Sequence, residues 1–162
     1  MRLIDRRVVA SVVCLVLGSV LFAGTASAQP DPAAGTWKLN PAKSHYMPGP
    51  APKSNVITIA AAGDTLKISS QGVDGANKPT STNYTATFDG KDSPIKGAPL
   101  YDTVSHKRID ANTTEQIRKK EGKVVQTATR KISADGKTMT VTSVGKTTDG
   151  KELHNVAVYE KQ

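Results

Sequence analysis

Tight-turn signals recur along this chain at intervals that leave room for only one strand between each pair. Gly63-Asp64, Asp74-Gly75, Asp89-Gly90, Gly97, Glu121-Gly122, Asp135-Gly136 and Asp149-Gly150 punctuate everything beyond residue 54. Asp-Gly and related pairs tolerate the positive φ that tight hairpin turns demand. The last three recur every 14 residues, and Lys follows the glycine at positions 91, 123, 137 and 151. That interval fits one strand plus one turn of an antiparallel meander. The intervening segments differ too much among themselves for a solenoid repeat.

These segments are rich in Thr, Val, Ile and Tyr, the residues that favour strands. Strands are predicted to begin at Thr36, Asn55, Thr65, Ser81, Tyr101, Thr113, Val124, Thr138 and Leu153. Apolar and polar positions alternate within them. Leu66, Ile68 and Ser70 oppose Thr65, Lys67 and Ser69, while Tyr84, Ala86 and Phe88 oppose Asn83, Thr85 and Thr87. Met139 and Val141 oppose Thr138, Thr140 and Thr142. One apolar and one polar face describe a half-buried antiparallel sheet, and no window shows helical spacing. A series of this length, left open, would expose two unpaired edges, and closure removes them. The expected fold is all-β, an up-and-down antiparallel β-barrel of about 8–10 strands, with a β-sandwich as the alternative.

Residues 1–28 stand apart from this pattern. Arg2, Arg6 and Arg7 precede an almost wholly apolar run from Val8 to Ala23, and Ala26 and Ala28 fit an A-x-A cleavage site. The run is short for a bilayer span of about 20 residues. It reads as a signal peptide cleaved near Ala28, which places the mature protein in the periplasm or outside the cell. The formal net charge of the 162-residue chain is +8; without residues 1–28 it falls to +6, and Cys14, the one cysteine, leaves as well. The mature domain, 29–162, therefore has no disulfide, thiol nucleophile or cysteine metal site. Its length excludes a two-domain Rossmann enzyme and a full (β/α)₈ barrel.

A Pro-rich segment, 41–54, follows the first strand, with Pro48, Pro50 and Pro52 alternating with small residues. Fixed φ and missing N–H groups favour extended backbone, either a surface strap or a lid across one barrel end.

The stretch Gly35-Thr36-Trp37-Lys38-Leu39 resembles the G-x-W opening of the calycins, the lipocalins and fatty-acid-binding proteins. Thr129-Arg130-Lys131-Ile132, Asp135-Gly136-Lys137 and Val158-Tyr159-Glu160-Lys161 resemble the closing part of a fatty-acid-binding protein. Through GTWKLNPAKS, PGPAPKS, the DGK turns and NVAVYEK, the mature chain is similar to a set of exported bacterial proteins described as lipocalin-like. The resemblance implies a barrel with Trp37 plugging one end. It does not extend to every feature. The helical lid of fatty-acid-binding proteins is replaced by 41–54, and Ala157 stands where their carboxylate clamp has an Arg two residues before the final-strand Tyr.

Arg130 is the leading candidate for ligand contact. Alternation sets Val124, Gln126, Ala128, Arg130 and Ile132 on one face, which the apolar members turn inward. A buried guanidinium needs a partner. That partner is a ligand carboxylate or phosphate, or else an internal Asp or Glu; a reversed register would instead turn Arg130 outward. Gln126, Tyr84 and Tyr159 join Arg130 as expected ligand-orienting groups.

His45, His106 and His154 lack metal-ligand spacing and read as unrelated histidines. No nucleophile elbow, phosphate-binding loop or H-E-x-x-H occurs, so no catalytic residue, metal or cofactor is expected. Lys107-Arg108 and Arg118-Lys119-Lys120 read as solvated charge. Tyr101 is the only aromatic between residues 89 and 158, too few stacking rings for a nucleic-acid surface. The expected partner is a small, partly apolar, lipid-like molecule, with at most weak attraction to an anionic envelope surface, and the chain is expected to be monomeric. A ligand-free envelope domain with a packed interior is the alternative.

Overall fold

The structure, a computed structural model, describes residues 30–147 and 149–162. The signal peptide read at 1–28 lies outside the described residues. Eleven strands follow one another: β1 (Gly35–Leu39), β2 (His45–Met47), β3 (Ser54–Ala62), β4 (Thr65–Val73), β5 (Pro79–Thr87), β6 (Ser93–Pro94), β7 (Thr103–Arg108), β8 (Thr113–Lys120), β9 (Lys123–Ile132), β10 (Thr138–Lys146) and β11 (Glu152–Lys161). They form one antiparallel sheet in the order β5-β4-β3-β1-β11-β10-β9-β8-β7-β6, with β2 added beside β11. The sheet curls until its two edges meet, so the fold is a nearly closed up-and-down barrel rather than a sandwich. All nine predicted strands are present within two residues of their expected starts.

The turns show why Asp, Gly and Lys recur together. Asp89 Oδ1 accepts from the Lys91 backbone N–H at 3.1 Å, and Asp135 Oδ1 accepts from that of Lys137 at 3.0 Å. The carboxylate thus closes the turn on its own backbone while the glycine between supplies positive φ. Glu121-Gly122 works differently. Both residues have positive φ, 51° and 75°, as a type I′ turn requires.

The Pro-rich segment departs from a uniform strap. Pro41–Lys43 forms a single 3₁₀ turn, and Asn40 caps it by accepting from the Lys43 N–H at 3.2 Å. Tyr46 then pairs with Asn155, which gives β11 a third neighbour beside β1 and β10. Proline at the first helical position suits the turn, because its missing N–H would have had no partner there. The remainder, 48–53, has neither helix nor strand and is bent at 48, 49 and 53, so it is not a simple extended strap.

One barrel end is filled. Ala33, Trp37, Leu66, Ile132 and Met139 form a buried cluster there, and Trp37 and Met139 are completely covered. The Trp37 indole N–H donates to the Ala33 carbonyl at 2.8 Å, which satisfies the ring's one polar atom inside the core. The segment before β1 is tied down as well. Arg108 Nη2 donates to Asp31 Oδ2 at 2.5 Å while its guanidinium lies 3.7 Å from the centre of the Phe88 ring. Arg108 therefore belongs to the barrel end and not to a solvated cluster.

The barrel closes weakly where β5 meets β6 and β7. Two isolated bridges, Asn83 to Lys96 and Asp89 to Lys107, join the edges. Gly97 makes the upper approach possible. Its φ is +81°, and a Cβ there would lie 1.9 Å from the Ser81 carbonyl oxygen. Gly97→Ala is expected to cost roughly 2–4 kcal/mol, since backbone must move and φ is strained. Gly63 has φ +57° with nothing within 4 Å, so Gly63→Ala should cost only about 1 kcal/mol. Urea unfolding of both variants checks this. Equal losses would show that seam closure does not depend on the close approach.

Candidate functional site

Above the filled end, the strands enclose a cavity of about 390 Å³. Its walls are mainly Ile57, Ile59, Ile68, Met139 and Val141, and its mouth is bordered by Pro52, Thr80 and the loop Gly97–Tyr101. Every side chain here arrives by strand alternation. Residues two apart share a face, so β8 turns Thr114, Gln116 and Arg118 inward, and β9 turns Gln126, Ala128, Arg130 and Ile132 inward.

Arg130 lies on the cavity wall and is 3% exposed. Its side chain makes one hydrogen bond, a long one of 3.5 Å from Nη2 to Thr114 Oγ1. Among the described residues it has no ion pair, and no Asp or Glu lines the cavity. Burial lowers its pKa, an effect that Tyr84 and Asp31 oppose. An internal carboxylate is therefore not what satisfies this guanidinium.

Arg118 is a second cavity guanidinium, which the charge-cluster reading of 118–120 missed. Its Nη1 donates to Gln126 Oε1 at 2.5 Å and its Nη2 to Gln116 Oε1 at 3.0 Å. Its guanidinium lies 5.1 Å from the centre of the Tyr101 ring at the mouth. A register shift lies across from it on β9. Arg118 faces Gln126 but Lys119 faces Val124, so Val125 is an extra residue. The bulge turns Val124 outward, 59% exposed, against the inward placement expected of it. The alternation of Thr114, Gln116 and Arg118 carried the signal.

Gln126, expected as a ligand contact, stands beside the cavity and holds Arg118. Tyr84 and Tyr159 both line the cavity. The Tyr159 hydroxyl donates to Asn55 Oδ1 at 3.3 Å, and burial pushes its pKa up. Tyr84 Oη lies 3.2 Å from His106 Nε2. Burial raises Tyr84 to about 12, although Arg130 and Arg118 pull it back. Trp37 remains in the filled end, away from these groups.

His106 is the residue whose place the sequence hid. It is completely buried, and its pKa is lowered to about 3 by burial and then by the charges of Arg130 and Arg118. A histidine depressed in this way is neutral in the folded protein, whereas the unfolded chain takes up a proton below about pH 6.5. Its contribution to stability is therefore full above pH 6.5 and is lost progressively as pH falls toward 3. Between pH 6.5 and 5 this group alone should remove on the order of 2 kcal/mol. Urea unfolding across that range should show the loss in the natural protein and a much flatter profile in His106→Gln. Parallel profiles would contradict the assignment.

No protein-family model matches this sequence, and no curated protein matches it. Among solved structures, the zebrafish ileal bile acid-binding protein complexed with cholic acid is similar with a TM-score of 0.50 and 12% identity, over 81% of this chain and 99% of that one. The siderocalin Ex-FABP, which functions through dual ligand specificities, aligns at 15% identity with a TM-score of 0.36, over 81% of this chain and 74% of its own. The first likeness shows a shared fold, an antiparallel β-barrel, as expected from the sequence.

Proposed function

We propose that this chain is an exported, monomeric binding protein of the periplasm or the exterior, whose barrel holds a small, partly apolar anion of the lipid-like kind. The observation that carries this reading is Arg130, a guanidinium 3% exposed on the wall of a cavity with no carboxylate among the described lining residues. Burying such a charge is costly unless an anion or several good acceptors meet it. The single 3.5 Å contact to Thr114 leaves most of its donors for a ligand oxyanion. The aliphatic walls suit an apolar body, and the volume of about 390 Å³ lies in the range of small-molecule sites. That volume also favours binding over the alternative of a domain packed solid by its own side chains. The zebrafish neighbour was solved with cholic acid, an amphipathic acid, which supports the same reading of the barrel's shape.

The test is titration with 1-anilinonaphthalene-8-sulfonate followed by displacement with dodecanoate or dodecanol. Dodecanoate should displace the dye at least about tenfold more effectively, because a charge-assisted hydrogen bond is worth about 1.5–3 kcal/mol. Arg130→Gln should erase most of that preference while retaining dodecanol binding. A variant that keeps the natural preference would overturn the role of Arg130.

A further inference from the structure

We infer that His106 fixes the Tyr84 hydroxyl as a hydrogen-bond donor into the cavity on the Arg130 side, so that the buried ligand head is an oxyanion of the carboxylate class met by donors alone. The inference rests on the ligand-binding reading above and deepens it.

His106 Nε2 is 3.2 Å from Tyr84 Oη, and the two rings are tilted at 42° with centroids 5.6 Å apart. The Phe88 ring packs edge-on against the imidazole at 6.5 Å. The other ring nitrogen, Nδ1, is buried and has no hydrogen-bond partner among the described residues. A neutral imidazole carries one N–H, and its location decides what Tyr84 does. With the hydrogen on Nδ1, a buried donor would have no acceptor, and Tyr84 would spend its own hydrogen on Nε2. With the hydrogen on Nε2, the ring donates to Tyr84 Oη and Nδ1 is left as an unmatched acceptor. Orphaned buried donors are the rarer defect, so the second arrangement is preferred.

The consequence falls on the cavity. Tyr84 accepts from the ring, keeps its proton at neutral pH and lines the cavity wall, so its O–H has the cavity to donate into. Arg130 lines the same cavity and is the leading charge acting on the Tyr84 phenol. Arg118 differs, because Gln116 and Gln126 already occupy two of its nitrogens. Arg130 and Tyr84 thus offer donors to one head group. A carboxylate presents only acceptors to them, whereas an alcohol or primary amide sets its own hydrogens against donors. His106 acts through Tyr84 and is a positioning residue.

Two measurements test this. The two-bond ¹H–¹⁵N correlations of the imidazoles in ¹⁵N-labelled protein identify the protonated nitrogen of His106, with or without dodecanoate. The Nε2–H pattern is expected, and an Nδ1–H pattern in both states overturns the inference without reference to any variant. Tyr84→Phe should then bind dodecanoate about tenfold more weakly while binding dodecanol as before. If Tyr84→Phe binds dodecanoate normally while Arg130→Gln does not, the donor role of Tyr84 is lost and the ligand-binding reading stands. If the natural protein binds neither dodecanoate nor the naphthalene sulfonate, both readings are lost.

Discussion

A sheet that curls back on itself encloses a volume that side chains must either fill or leave hollow. Here the filling is confined to one end, around the completely covered rings and chains of Trp37, Leu66 and Met139. Residues 29–162 include only six aromatic residues, so large rings cannot be spread over the whole interior. Trp37 and Phe88 serve the filled end, while Tyr84 and Tyr159 are reached from the cavity. The aliphatic side chains between them line a space without filling it. The same constraint explains why the segment before β1 is needed. Asp31 and Ala33 bring a partner for Arg108 and an acceptor for the Trp37 indole, which completes the end that must stay dry.

Once the cavity exists, its electrostatics follow from what surrounds it. Two guanidinium groups share a space of low polarity, and His106 and Tyr84 both respond to them. His106 is held neutral and the Tyr84 phenol is kept protonated by burial despite the nearby positive charge. Asp31, whose carboxylate favours the charged form of Arg130, is committed to Arg108. The interior therefore carries positive charge without an equal internal answer among the described residues. That imbalance is a cost to folding, which the proposed anion would relieve on binding.

Much of this fold could be read from turn spacing and two-residue alternation, because both depend on neighbours within a few positions. The strand starts and the inward face of Gln126 and Arg130 are of this kind, whereas the burial of Trp37 is implied by the G-x-W resemblance. The readings that missed depend on what lies across the sheet. Arg118 looked solvated beside Lys119 and Lys120 until its amide partners were found at Gln126, across the sheet, and at Gln116. Gln126 looked like a ligand contact until its amide oxygen was found on Arg118. His106 gave no local sign, because a histidine between Ser105 and Lys107 is buried only when β5 and Phe88 cover it from another part of the chain. The strap showed its proline-rich character but concealed β2, whose pairing with β11 joins residues more than a hundred positions apart.

The division of labour between the two cavity arginines follows from their partners. Arg118 is clamped by two glutamines on adjacent strands and stacks over Tyr101, so its position is tied to the mouth loop. Removing its charge would leave two amide oxygens unmatched and free the ring that borders the entrance. Arg130 has one long contact and sits deeper, beside residues of the filled end. A ligand head that reaches it makes new hydrogen bonds without breaking old ones, whereas a head that stopped at Arg118 would have to compete with Gln116 and Gln126. On the proposed reading, an anionic head would therefore be bound more favourably at depth, with its apolar body along the isoleucine wall and the mouth arrangement undisturbed.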